Sequence, residues 1–266
     1  MQPRQPVIEL NEVHKRLGNQ DVLRGVGLKL YRGQTTVVIG ESGVGKSVML
    51  KHIIGLMRPD RGDVWFYSDN AFGSHRVRVC DLNQVQLVEL RQRFGFLFQM
   101  GALFDSMTAG ENVGFPLREH TKLSRAEIER RVAQKLALVG LDGFQNKKPA
   151  ELSGGQKKRI ALARAISLDP EVILYDEPTT GLDPVRADVI NELIRRLQAE
   201  LSVTSIVVTH DMASAYKVGD RIVMLHEGHF IADGAPDEIR ASADPRVLRF
   251  ITGRASEEDL GALKGS

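Results

Sequence analysis

The sequence predicts an α/β fold with a parallel sheet, and three apolar runs predict it. Residues 36–39, Thr-Val-Val-Ile, read as a buried strand, and 48–57 beyond them read as a helix. Residues 172–175, Val-Ile-Leu-Tyr, read as a central parallel strand whose carboxyl end carries Asp176 and Glu177. Residues 205–208 form a third buried run, with Thr209-His210-Asp211 at its end. In open sheets of this kind ligands bind outside the carboxyl ends of the strands, where the acids and the histidine fall.

The elements follow in order. Residues 7–30 read as strands separated by the turn signal Gly18-Asn19-Gln20, and Arg32-Gly33 turns the chain into the run 36–39. Next comes GESGVGKS, Gly40 to Ser47, which matches G-x-x-x-x-G-K-[ST], the phosphate-binding P-loop. Glycines 40, 43 and 45 let the backbone bend closely around an anion. The turned N–H groups and the helix start supply positive potential. Lys46 would reach the β- and γ-phosphates, and the Ser47 hydroxyl would ligate Mg²⁺. The helix ends near 58–62, and 63–67 read as a strand containing Trp65, which is expected in core or edge packing. Residues 68–81 are polar and read as a hairpin extension, 84–93 as a helix, and 95–98 as a strand ending at Gln99.

The stretch 100–150 changes character and reads as a helical insertion. Ser124-Arg125-Ala126-Glu127 is a capping box, and Ile128, Val132, Leu136 and Val139 repeat at helical spacing as a core stripe. Leu152-Ser153-Gly154-Gly155-Gln156 precedes a helix over 157–167, so its glycines offer a second anion site. Two cradles in a chain with one P-loop are explained economically if the second serves the nucleotide of another copy. On the acidic strand, Asp176 could hold Mg²⁺ and Glu177 could accept a proton from an attacking water. Asp183-Pro184 opens an amphipathic helix over 185–201 with Ile190, Leu193, Ile194, Leu197 and Leu201 on one side. His210 is placed to touch a γ-phosphate. A hairpin, 220–225 and 229–232, turns at Glu227-Gly228, and 236–241 and 246–251 read as short helices. The tail 254–266 is polar and expected to be loose. No internal repeat is present.

Composition narrows the function classes. A net charge of +2 without a dense Lys/Arg block argues against nucleic acid as a partner. The single cysteine, Cys80, excludes an internal disulfide and a cysteine-based zinc site. The start, MQPRQPVIEL, has no apolar signal-peptide core. No window approaches the roughly 18 apolar residues of a membrane span, so a membrane role is expected to pass through a partner.

The order GESGVGKS, Gln99, LSGGQ, VILYDE, Thr180-Gly181-Leu182-Asp183 and His210 resembles that of the ATP-binding-cassette ATPases, over 7–235. The resemblance implies a P-loop RecA-like α/β core with an antiparallel β subdomain and a helical signature subdomain at about 100–165. The ATPase domain would span 7–240, and 241–266 would be a C-terminal helix and polar tail. It further implies a head-to-tail dimer of two copies with two ATP molecules sandwiched between P-loops and opposing LSGGQ segments. Carried over by position, Gly40, Glu41, Ser42, Gly43, Val44, Gly45, Lys46 and Ser47 would bind phosphate. Ser153, Gly154, Gly155, Gln156 and Asp183 would act across the dimer seam. Ser47, Gln99 and Asp176 would serve Mg²⁺. Glu177 would be the general base, with His210, Gln99 and Lys46 completing the catalytic set. The family commonly stacks adenine on an aromatic residue near the end of the first strand. Leu17 stands there, so Arg16 or Lys15 is the alternative contact.

A narrower resemblance lies in FQMGALFDSMTAGENVGFPLREHT, 98–121, and in Asp244-Pro245-Arg246-Val247 with Gly253. Both are similar to the ATPases of Mla/Mce-type phospholipid transporters. That implies an MlaE-like permease, an MCE-domain protein and a possible STAS-domain subunit as partners. It also implies ATP hydrolysis driving phospholipid movement between inner and outer membrane, from the cytoplasmic face of the inner membrane. The apolar stretch 98–117 is expected to leave Leu103 or Phe104 in a groove that receives a permease helix. The alternatives are the same ATPase serving another solute, and a soluble cassette ATPase of repair or translation. The single cassette and the short connection from Gln99 to LSGGQ speak against the soluble one. A non-hydrolysing regulatory subunit is a further alternative, and the presence of Glu177 and His210 argues against it.

Overall fold

The computed structural model describes residues 6–68 and 75–254. In chain order the elements are β1 (Pro6–Leu17), β2 (Gln20–Tyr31), β3 (Thr35–Ile39), α1 (Lys46–Ile53), β4 (Arg61–Tyr67), β5 (Arg76–Arg78), α2 (Gln84–Gln92) and β6 (Phe94–Leu97). Then come α3 (Ala109–His120), α4 (Arg125–Leu138), α5 (Gly154–Ala165), β7 (Val172–Asp176), α6 (Pro184–Leu201) and β8 (Thr204–Thr209). The chain closes with α7 (Met212–Val218), β9 (Arg221–His226), β10 (His229–Gly234), α8 (Pro236–Arg240) and α9 (Pro245–Thr252).

Two sheets result, one of four strands in the order β2-β1-β4-β5 and one of six in the order β10-β9-β3-β8-β7-β6. The first is antiparallel, and the second is parallel except for the β9–β10 hairpin. Strands buried on both faces read as unbroken apolar runs, and side chains alternate between the faces. Val37, Ile39, Ile173, Tyr175 and Val207 join a core shared with α3, α4, α5 and α6. Val38, Val172, Leu174, Ile206 and Val208 join the other core, shared with β1, β2, β4, α1 and α2. The helical insertion therefore packs on the parallel sheet. Among the described residues, no helix is long and apolar enough to cross a membrane.

Three expectations shift. The strand expected to be central, β7, lies one place in from the edge, and β3 and β8 hold the middle. The first helix ends at Ile53 rather than at 57. Gly55 adopts φ +64°, and the Gly55 and Leu56 N–H groups donate to the carbonyls of His52 and Lys51, a glycine stop. α5 opens at Gly154 rather than at 157, because Ser153 caps it and exchanges hydrogen bonds with Gln156. The LSGGQ glycines are thus its first turn. The hairpin extension forms through β5 on β4, with 69–74 outside the described residues. Residues 255–266 of the expected loose tail also lie outside them.

Candidate active site

Sheet register gathers the site. Ile39 stands opposite Thr209, Asp176 opposite Val208, and Leu97 opposite Tyr175. The chain therefore leaves β3, β8, β7 and β6 at one edge, which brings the P-loop, His210, Glu177 and Gln99 to a common cleft. The cleft holds about 340 Å³ and is lined by Ser42, Gly43, Gly45, Lys46, Ser47, Val48, Gln99, Glu177 and His210. All of these except Val48 are among the residues singled out in the sequence.

Lys46 is buried. Its Nζ donates to the carbonyls of Gly40 at 2.6 Å and Glu41 at 2.8 Å, and it lies 3.9 Å from Glu177 Oε1. Burial pushes its pKa down, against the pull of Glu177 and Asp176. Ser47 Oγ donates to Asp176 Oδ1 at 2.9 Å. Burial raises the Asp176 carboxyl, and the Ser47 hydrogen bond opposes that rise. Glu177, at φ +50°, is a non-glycine residue in left-handed backbone and is almost fully buried. His210 Nδ1 lies 3.0 Å from its Oε1 and 2.9 Å from its Oε2, and Thr180 Oγ1 donates to Oε2 at 3.1 Å. A buried carboxylate aimed into a cleft and oriented by two neighbours is equipped to take a proton. Ser47, Asp176 and Gln99 offer oxygen donors, the chemistry that suits Mg²⁺.

Two P-loop glycines answer to packing rather than to an anion. A Cβ at Gly40 would stand 2.3 Å from the Leu225 carbonyl oxygen, and one at Gly45 would stand 2.8 Å from Val22 Cγ1. Gly43 meets nothing within 4 Å, so its φ of +81° is what demands glycine there.

Other expected residues lie apart. Of the described residues, 153–156 do not line this cleft. They pack instead at the start of α6, with Gly155 against Arg186 and Gly154 against Leu182. Asp183 caps α6 by accepting from the Arg186 N–H at 3.0 Å, and its carboxylate pairs with the Arg186 guanidinium at 3.2 Å. Val44 packs beside Gly40, and the Glu41 carboxylate lies 3.4 Å from Arg249 of α9. Leu17 is 41% exposed at the end of β1. Lys15 is occupied by Asp60 at 2.8 Å and the Arg58 carbonyl at 3.0 Å, whereas Arg16 pairs on the surface with Asp21 at 2.9 Å. Arg16 is thus the more available of the two cations beside Leu17.

A second cleft, of about 560 Å³, opens between α2, β6, α3 and α5. It is apolar, with Phe96, Phe98, Phe104, Phe115 and Pro116 in its walls. Phe104 is half exposed and its ring lies 5.0 Å from that of Phe115, whereas Leu103 packs toward the core.

Sequence reasoning missed three cations on α5. Arg164 donates to the carbonyls of Gly101 at 2.8 Å and Ala102 at 2.7 Å, just after Gln99. Arg159 donates to those of Val139 at 3.2 Å and Gly140 at 3.1 Å. Lys158 donates to those of Glu177 at 3.3 Å, Pro178 at 2.7 Å and Thr180 at 2.8 Å. Burial lowers all three, Lys158 to about 8. The signal was periodic: Lys158 stands one helical turn before Ala161 and Leu162, on the apolar face.

Known proteins resemble this chain in sequence and fold. Residues 23–180 match the family described as ABC transporter. The chain is 42% identical over 93% of its length to the probable ribonucleotide transport ATP-binding protein mkl of Mycobacterium tuberculosis, covering 67% of that protein. It is 39% identical over 94% of its length to the intermembrane phospholipid transport system ATP-binding protein MlaF of Haemophilus influenzae, covering 92% of it. Among solved structures, the dimeric post-hydrolysis state of the ATP-binding cassette MJ0796 bound to ADP and Pi matches with a TM-score of 0.76 and 35% identity, over 86% of this chain and 98% of that one.

Proposed function

This chain belongs to the ABC transporter family and is an ATPase, and we propose that it powers phospholipid transport between an inner and an outer membrane. The observation that carries the substrate class is the extent of the likeness to MlaF, over nearly the whole of both chains. The reaction is ATP and water to ADP and phosphate. In this reading the P-loop amides cradle the phosphates, and Lys46 turns its ammonium from the Gly40 and Glu41 carbonyls to them. Glu177 accepts the proton of the attacking water, held by His210 and Thr180. Ser47, Gln99 and Asp176 would hold Mg²⁺, whose charge would offset that developing on the transferred phosphoryl group. Positioning and electrostatics supply most of the acceleration.

Two copies act head to tail, each offering Ser153, Gly154, Gly155 and Gln156 to the other's ATP, with Asp183 at the seam. Support comes from the separation of that segment from the cleft within one chain, and from the dimeric state of the MJ0796 cassette. The membrane partner is an MlaE-like permease seated at the apolar cleft around Phe104, with an MCE-domain protein and a STAS-domain subunit in the same assembly. The chain would lie on the cytoplasmic face of the inner membrane, peripheral through the permease, and nucleic acid is not a partner. Detergent extraction, identification of the co-purifying permease, and lipid-transfer assays between vesicles test the proposal. ATP-dependent transfer of phospholipid supports it. A complex that instead moves a ribonucleotide, as the name of the mkl relative suggests for that protein, would replace the substrate class and leave the ATPase standing.

A further inference from the structure

We propose that Lys158 is a positioning residue for ATP hydrolysis, clamping the backbone that presents Glu177 to the helix that opens with LSGGQ. The proposal rests on Glu177 being the general base.

Three carbonyl oxygens, of Glu177, Pro178 and Thr180, converge on the Lys158 ammonium at 3.3, 2.7 and 2.8 Å. An ammonium has three hydrogens, so each oxygen receives one. Lys158 is only 7% exposed, and its hydrogen bonds to the Glu177 and Pro178 carbonyls are buried, the one to Thr180 partly so. Convergent carbonyl dipoles repel when nothing lies between them, and unpaired buried acceptors are costly. The backbone they belong to is already strained at Glu177, whose φ is +50°. The clamp also acts on the carboxylate. Thr180, whose carbonyl Lys158 holds, donates its hydroxyl to Glu177 Oε2 at 3.1 Å. Lys158 thereby fixes the Glu177 backbone directly and one of its carboxylate oxygens through Thr180. It lies two residues past Gln156 on α5, so the second phosphate cradle and the base are tied by one side chain.

The test compares wild type, Lys158→Met, Lys158→Arg and Glu177→Gln, each purified as the full chain with its membrane partner. Methionine keeps the buried stem and removes every donor, and arginine keeps charge and donors. Lys158→Met is expected to lower kcat about tenfold to a hundredfold, the size that a misplacement of about 1 Å produces. KM and the affinity for a fluorescent ATP analogue should stay within about twofold, because the P-loop is untouched. Lys158→Arg should recover at least half of the lost kcat. If the methionine variant does not fold by thermal melting, Lys158→Gln, with two donors, takes its place, and an intermediate loss is expected. Normal kcat in Lys158→Met beside a dead Glu177→Gln overturns the role of Lys158 and leaves the base assignment intact. So does a rise in KM with unchanged kcat, or a loss that folded Lys158→Arg fails to relieve. Wild-type turnover by Glu177→Gln overturns the base assignment, and the role of Lys158 with it.

Discussion

Glu177 concentrates the proposed chemistry in one side chain. It is almost fully buried, sits in left-handed backbone, and faces His210, Thr180 and, at 3.9 Å, Lys46. Glutamine at this position keeps the size and most of the hydrogen bonds but cannot take a proton. Glu177→Gln should therefore lower turnover by about 10²- to 10⁴-fold, the usual worth of a general base, while ATP binding persists. Single-turnover hydrolysis and analogue titration on the same preparation check both halves. Gly40 makes a contrasting case. A Cβ there meets the Leu225 carbonyl oxygen at 2.3 Å, and φ is +151°. Gly40→Ala should lower the melting temperature even without nucleotide, because the clash is with β9. Gly43→Ala meets open space, and its cost comes from a φ of +81° alone. A smaller thermal shift for Gly40→Ala than for Gly43→Ala would refute this account.

At the scale of the element, α5 does more than carry the LSGGQ turn. Its three cations, Lys158 buried and Arg159 and Arg164 partly exposed, hold the loops at 101–102, 139–140 and 177–180, so one helix ties the segment after Gln99 to the segment bearing Glu177. Asn112 of α3 holds the segment between: it accepts the Phe104 N–H at 2.9 Å and donates to the carbonyls of Phe104, Met107 and Thr108. That network keeps Phe104 half exposed in the apolar cleft beside Phe115, with Arg164 stacked at 5.9 Å. An aromatic anchor at an interface is worth roughly 2 kcal/mol or more on truncation. Phe104→Asp should release the chain from its membrane partner while ATP binding survives. Co-purification in detergent measures the first and analogue titration the second, with thermal melting to establish that the variant is folded. Stoichiometric retention of the partner by a folded variant would move the docking site elsewhere.

For the whole molecule, the decisive matter is that one copy does not assemble the full set of expected phosphate contacts. Gly154 is exposed in the first turn of α5, and a Cβ there would make only an ordinary 3.7 Å contact with Leu182. An acidic side chain at this position should leave the fold intact and repel the phosphates of a facing copy. In a Glu177→Gln background, ATP is expected to convert the chain to a dimer, and adding Gly154→Asp should abolish that conversion. Light scattering with and without ATP reads the mass directly. A dimer that survives Gly154→Asp would place the seam away from LSGGQ.

Much of this was legible in the sequence because its determinants are local. The runs at 36–39, 172–175 and 205–208 are apolar throughout because both faces of the parallel sheet are covered, and they became β3, β7 and β8. The cap at Ser124 and the proline after Asp183 marked where α4 and α6 begin. GESGVGKS, Gln99, Glu177 and His210 could be named as a set, and strand register then brought them to one cleft. Tertiary structure decided what depends on residues distant in the chain. It set β7 off centre, turned Gly40 and Gly45 into packing positions against β9 and β2, and occupied Lys15 with Asp60. It also buried Lys158 over the carbonyls of residues 177, 178 and 180. Periodicity reports which face of a helix is covered, but not which loop covers it, and a buried cation takes its meaning from that loop's carbonyls.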